Sequence, residues 1–185
     1  KAGIASIEVE KQKDVFELLL DQEAIRERLY DMAPENPGHH HAYHALSSGF
    51  IIGALVERVT GISLRRFLRE NVSKPLRMKF LDFGARPSVI PRIARNYVTG
   101  FRPDAPTDVY VRRVIGASLR NAIDISNDPR FYRSVIPAGN MVATADDCSR
   151  FFQCLLNGGE LDGIRVFSPL TVRRATVEVG KSQID

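Results

Sequence analysis

Cysteine is scarce in this chain of 185 residues, with only Cys148 and Cys154 present. Their i, i+6 spacing within one expected helix separates them by about 9 Å along the axis, beyond the reach of a disulfide. No CxxC pair occurs, so zinc and thiol-redox chemistry have no support, and both cysteines are expected in the core. Long apolar runs are also missing. The longest, Phe50 to Val56, is interrupted by Gly53 and falls far short of the roughly 18 residues of a membrane helix. No membrane span is therefore expected. Concentrated charge of one sign is absent as well. The net charge of +4 comes from 26 Lys and Arg interleaved with 22 Asp and Glu, and the basic runs do not exceed the pairs Arg65-Arg66, Arg112-Arg113 and Arg173-Arg174. Nucleic acid is not an expected partner, because neutralising phosphates takes a concentrated basic face.

Several catalytic signatures are lacking. There is no GxSxG, which excludes the nucleophile elbow of α/β-hydrolases. None of the twelve serines is followed three residues later by lysine. The helical Ser-x-x-Lys arrangement, in which a lysine one turn away takes the hydroxyl proton, is thus absent. Lys-Thr-Gly is absent too. The chain opens on Lys1, with no methionine and no signal-peptide pattern, which reads as a processed or excised piece.

What is present suits one globular domain: 44% hydrophobic and 26% charged residues are ordinary for a packed chain. Residues 14–33 carry apolar side chains at helical spacing, with Asp21 placed to cap a second segment. The stretch Pro34 to Gly38 breaks the helix. A long helix is expected from Tyr43 to Thr60, apolar on most sides and so buried, ending at Gly61. Ser63 caps the next helix, which stops before Pro75. Residues 78–106 read as short strands and loops, 108–117 as a short helix, and 121–137 as loop with a helix start at Pro129. Thr144 to Leu156 forms a helix opened by a near capping box of Thr144 and Asp147, with Phe151, Phe152, Leu155 and Leu156 as its buried stripe. Glu160–Gly163 reads as a turn, Val166-Phe167 as extended, and Ser168-Pro169 as the start of a last helix.

The four histidines, His39, His40, His41 and His44, crowd into six positions. His40 and His44 lie at i, i+4, but no Cys or carboxylate completes a tetrahedral set and HExxH is missing. A solvated turn leading into a helix is the expectation, with no metal site.

The run from Pro37-Gly38 through Tyr43-His44-Ala45 to Thr60-Gly61 resembles the central motif region of β-lactamase-related serine hydrolases, a family that includes class C β-lactamases, DD-peptidases and penicillin-binding proteins, and esterases. Lys74-Pro-Leu-Arg-Met78, Pro137-Ala-Gly-Asn-Met-Val-Ala-Thr-Ala-Asp-Asp147, Asn157-Gly-Gly-Glu-Leu-Asp-Gly163 and Phe167-Ser-Pro-Leu-Thr171 follow in the family's order and spacing, and Ala2-Gly3-Ile4 resembles the tail of its His-x-Ala-Gly turn. The resemblance implies a mainly α chain with short irregular strands, the helical subdomain of the α+β serine β-lactamase/DD-peptidase-like fold. Residues 1–185 would be one partial domain, lacking the Ser-x-x-Lys helix and the C-terminal Lys-Thr-Gly or His-x-Gly strand.

The resemblance also implies that Tyr43 is the catalytic tyrosine, working with the nucleophile's lysine as general base. A tyrosine at a helix start ordinarily buries its ring and hydrogen-bonds its hydroxyl instead. Ala45 stands where the family's asparagine contacts lactam amides, which moves the implied substrate from lactams towards small esters. Asn140 replaces a second glycine. No cofactor is implied. The alternative is a non-catalytic helical binding or scaffold domain of the same architecture. Self-association is expected through apolar faces of the 43–60 helix left uncovered.

Overall fold

The computed structural model describes residues 12–34, 38, 43–100, 109, 111–112, 115 and 117–177. Two helices open it, α1 (Gln12–Leu20) and α2 (Gln22–Asp31). They are separated where expected, at Asp21, whose carboxylate accepts from the backbone N–H groups of Glu23 and Ala24. The expected short helix at 108–117 lies largely outside the described residues, as do Ala2-Gly3-Ile4 and His39 to His41.

The central helix α3 spans Ser47–Thr60. It starts four residues later than the periodicity predicts, because residues 45–46 form a turn. Gly61 ends it in the left-handed conformation, φ 71°, donating its N–H to the Glu57 carbonyl. That is the C′ role for which glycine is suited. The helix is less buried than expected. Its inward stripe is Ser47, Phe50 and Gly53, whereas Ile52, Leu55 and Val59 stand 59%, 60% and 77% exposed. Only one face of α3 meets other described elements.

Helix α4 (Leu64–Leu68) is capped by Ser63, whose hydroxyl accepts from Arg66 N–H, and widens into a π-helical turn over Arg69–Ser73. Glu57 ties this region together. One of its carboxylate oxygens accepts from Arg26 of α2 at 2.7 Å, and the other accepts from the Leu64 backbone N–H at 2.9 Å. Three helices are thereby fixed around one side chain.

Two short antiparallel pairs are the only strands among the described residues. β1 (Asp82–Phe83) pairs with β2 (Met141–Val142), Asp82 opposite Val142. β3 (Glu160–Leu161) and β4 (Ile164–Arg165) form a hairpin whose turn residues Asp162 and Gly163 both have positive φ. Asp-Gly is the dipeptide that such a turn favours. The sequence pattern predicts only a turn at 160–163 and extended chain at Val166-Phe167, two residues later than β4.

Between the strands lie α5 (Leu119–Ser126), capped by Ser118, and α6 (Pro129–Arg133), which begins at Pro129 as expected. Helix α5 occupies a stretch read as loop. Asn121, Asp124 and Ser126 are poor helix formers, but Leu119, Ala122 and Ile123 share one half-buried side and Ile125 packs against the first core, so apolar contact supports the helix together with its Ser118 cap.

Helix α7 (Ala145–Leu156) opens on a complete capping box between Thr144 and Asp147. The expected stripe is displaced. The buried residues are Asp147 and Cys154, while Phe152 and Leu156 are exposed, Leu156 at 85%. Four apolar residues at 151, 152, 155 and 156 wrap a wide arc, and the inward direction is set by Asp147 instead. Cys154 is a core residue as expected, but Cys148 is exposed. Helix α8 (Pro169–Thr176) closes the described chain under a Ser168 cap.

Two cores result. Phe16, Leu19, Ile25, Leu29, Phe50, Phe131, Tyr132 and Ile136 unite α1, α2, α3 and α6. Val72, Leu76, Met78, Cys154 and Leu161 join the π-helical turn to α7 and β3.

Candidate active site

The candidate site is assembled where the head of α3 meets the turn at Pro137–Gly139. α3 presses on that turn through glycine. A Cβ built on Gly49 would lie 2.6 Å from the Ala138 backbone nitrogen and 2.7 Å from its Cβ. Further along the helix, a Cβ on Gly53 would lie 3.1 Å from Leu64 Cδ2 and 3.5 Å from Pro137 Cγ. Glycine at both positions lets the helix backbone approach closely.

The turn is held from behind by Asn140, which is 3% exposed. Its side-chain amide donates to the carbonyls of Phe131 and Ser134, both at 2.7 Å, and its Oδ1 accepts from Ile136 N–H at 3.0 Å. Its backbone carbonyl accepts from Gly84 N–H. The departure from a second glycine is therefore an internal brace. Its polar atoms are engaged with the loop's own backbone, as a buried amide requires.

Tyr43 precedes this junction, three residues before Leu46. It is 69% exposed, and its hydroxyl makes no hydrogen bond to a described residue. The ordinary role of a helix-start tyrosine, ring buried and hydroxyl paired, does not apply here. Ala45 lies in the turn that follows, half-buried. Ser48 donates its hydroxyl back to the His44 carbonyl at 2.8 Å, which locks the approach into the helix.

The second anchor is Asp147, 1% exposed. One carboxylate oxygen accepts from Lys79 N–H at 2.7 Å. The other accepts from Phe80 N–H, Thr144 N–H and the Thr144 hydroxyl. Burial pushes this carboxyl up, but the hydrogen bonds from Thr144, Lys79 and Phe80 outweigh it and hold it below its ordinary value. The cap was legible in the sequence. The bonds to residues 79 and 80, 68 and 67 positions away, carry no local signal.

Of two cavities, neither is lined by Tyr43, but the second reaches Gly139 and Asn140 of the braced turn. One, of about 600 Å³, opens beside β1. The other, of about 440 Å³, lies between the Ile90–Arg92 turn and β2. Among the described residues, no three His, Cys, Asp or Glu side chains converge as a metal would need, and no single helix is long and apolar enough to cross a membrane.

The β-lactamase family's sequence model matches residues 7–184. This chain belongs to the β-lactamase family. It is 28% identical to the esterase/β-lactamase LipL of Mycobacterium tuberculosis, an alignment covering 91% of this chain and 41% of LipL. Its structure matches a penicillin-binding-protein homologue from Caulobacter crescentus with a TM-score of 0.77 at 26% identity, over 98% of this chain and 48% of that one. EstA from Arthrobacter nitroguajacolicus Rue61a shares the fold, with a TM-score of 0.62 at 18% identity, covering 91% of this chain and 45% of EstA. The chain thus spans less than half the length of each of these relatives. Its β-lactamase-family fold is mainly helical with two-stranded sheets, as the motif order implied.

Proposed function

We propose that this chain contributes the tyrosine of a serine-hydrolase site, with Tyr43 carrying the proton of an acylating serine and small esters as the substrate class. The observation that supports the reading is the state of Tyr43. Its phenol is exposed on the segment leading into a helix fixed against the Pro137–Gly139 turn, available to groups outside the described structure. An ordinary phenol, with a pKa of about 10, accepts protons at neutral pH only beside cations that lower that value. Those cations, chiefly the lysine of a Ser-x-x-Lys helix, would come from sequence outside these 185 residues. The serine oxygen would attack the ester carbonyl, its proton passing through Tyr43 to the departing alcohol, and water would then hydrolyse the acyl-enzyme. Ala45 favours esters over lactams, because it offers no side-chain amide to a lactam substrate. LipL, whose name joins esterase and β-lactamase, fits the same class.

By itself the chain is inactive in this reading, since it holds no Ser-x-x-Lys pair. Incubation with p-nitrophenyl acetate should release no more nitrophenol than a denatured control, once histidine-catalysed background is subtracted. Turnover above that control would overturn the assignment. If the parent sequence upstream carries no Ser-x-x-Lys, a non-catalytic scaffold replaces the hydrolase.

The exposed stripe of Ile52, Leu55 and Val59 on α3 supports self-association of the isolated chain, because contiguous exposed apolar surface tends to be covered.

A further inference from the structure

The 600 Å³ cavity beside β1 is a feature that ester hydrolysis does not use, since neither Tyr43 nor the Pro137–Gly139 turn lines it. Its size falls in the range of small-molecule sites. Its wall carries Arg65, Arg69, Lys74, Arg77, Lys79 and Arg86, and Asp82 is the one carboxylate among the described lining residues. Arg65 is already committed. Its guanidinium donates to the Phe83 carbonyl through both Nε and Nη2, and it pairs with Asp82 at 3.3 Å. The other five cations form no salt bridge with a described residue. All five are exposed around the cleft, so water and salt screen their repulsion, and together they leave the cleft net positive.

Two further observations single out this cleft. Arg77, at φ 54°, is the left-handed residue that stops the π-helical turn, its N–H donating to the Lys74 carbonyl and the next N–H, of Met78, to the Ser73 carbonyl, so a helix end fixes where this cation sits. The cleft is also built in advance: the backbone of Lys79 and Phe80 hangs on the buried carboxylate of Asp147, and Ser73 donates its hydroxyl to the Leu81 carbonyl. Burial raises the Asp82 carboxyl and outweighs Arg65, Arg69 and Arg86, each of which favours its charged form; all four residues line this cleft.

We propose that this cleft binds a small, multiply charged anion of the phosphate or polycarboxylate class, held by the guanidinium groups of Arg69 and Arg86 with Lys74, Arg77 and Lys79 contributing charge. Guanidinium forks match both kinds of oxyanion. The concave shape and the apolar residues Met78, Phe80 and Val89 among its lining suit a compact solute rather than a flat membrane surface.

Calorimetric titration of the 185-residue chain with inorganic pyrophosphate and, in parallel, citrate at fixed ionic strength tests this. Saturable one-site binding is expected, and the tighter of the two anions assigns the class. The double variant R69Q/R86Q should weaken binding about tenfold or more. R173Q/R174Q on α8 removes the same charge at a distance and should leave binding unchanged. Arg77→Gly should lower affinity while raising Tm, because glycine accepts the left-handed backbone without strain. The proposal is overturned by heats that fail to saturate with either anion, by equal weakening in both double variants, or by cosedimentation with anionic phospholipid vesicles without binding of the free anions.

Discussion

Gly49 and Ala138 are packed so closely that a side-chain carbon on the glycine would lie 2.6 Å from the alanine's backbone nitrogen. This contact sets the first turn of α3 on the turn braced by Asn140, and so it fixes the ground on which Tyr43 stands. Gly49→Ala should destabilise the chain by about 1–3 kcal/mol, the ordinary cost of overpacking, despite alanine's better helix propensity. Urea denaturation monitored by circular dichroism measures it. A variant as stable as the parent would show that the helix and turn separate freely.

Asp147 makes a pH dependence testable. A carboxyl whose pKa falls on folding stabilises the native state fully above its ordinary value, 3.8. That contribution is lost as the pH drops from there through the lower folded value. Asp147→Asn should cost about 2–4 kcal/mol at neutral pH, because the amide cannot accept from Lys79, Phe80 and Thr144 together. It should also flatten the loss of stability between neutral and acid pH. Denaturation midpoints at pH 7, 5 and 3 for parent and variant would reveal a persistent, equally steep acid loss if another carboxylate were responsible.

For Tyr43 the expectation separates stability from chemistry. Its exposure means Tyr43→Phe should change folding stability by less than about 0.5 kcal/mol. In a longer protein that includes a Ser-x-x-Lys serine, the same change should lower kcat for ester hydrolysis by about 10²–10⁴-fold, the range of a lost general base. Full activity in that variant would leave Tyr43 without a catalytic role.

The α3 stripe gives a prediction about assembly. Leu55→Lys places a charge amid Ile52 and Val59 and should shift the isolated chain towards monomer. Sedimentation velocity over a hundredfold concentration range would read this directly. A parent chain that is monomeric throughout would argue against association by this face.

Local signals in the sequence specified much of this protein because they act over a few residues. Asp21, Ser63, Thr144 and Ser168 mark helix starts through side-chain acceptors for nearby N–H groups, and Gly61 marks an end through its left-handed backbone. The order of motifs around Tyr43 identified the family and hence the mainly helical fold. Tertiary structure decided what depends on distant partners: which faces of α3 and α7 are inward, the use of Asn140 as a brace, and the reach of Asp147 to residues 79 and 80. It also decided where the charge lies. Arg65, Arg69, Lys74, Arg77, Lys79 and Arg86 all lie within residues 65–86, so their proximity in sequence was legible, but it is the helix, the π-helical turn and the left-handed backbone at Arg77 that set them around one cleft. Tyr43 shows both halves of this division. Its motif is local and was legible. Its exposure was not, because burial is settled only by the elements that fold against a residue.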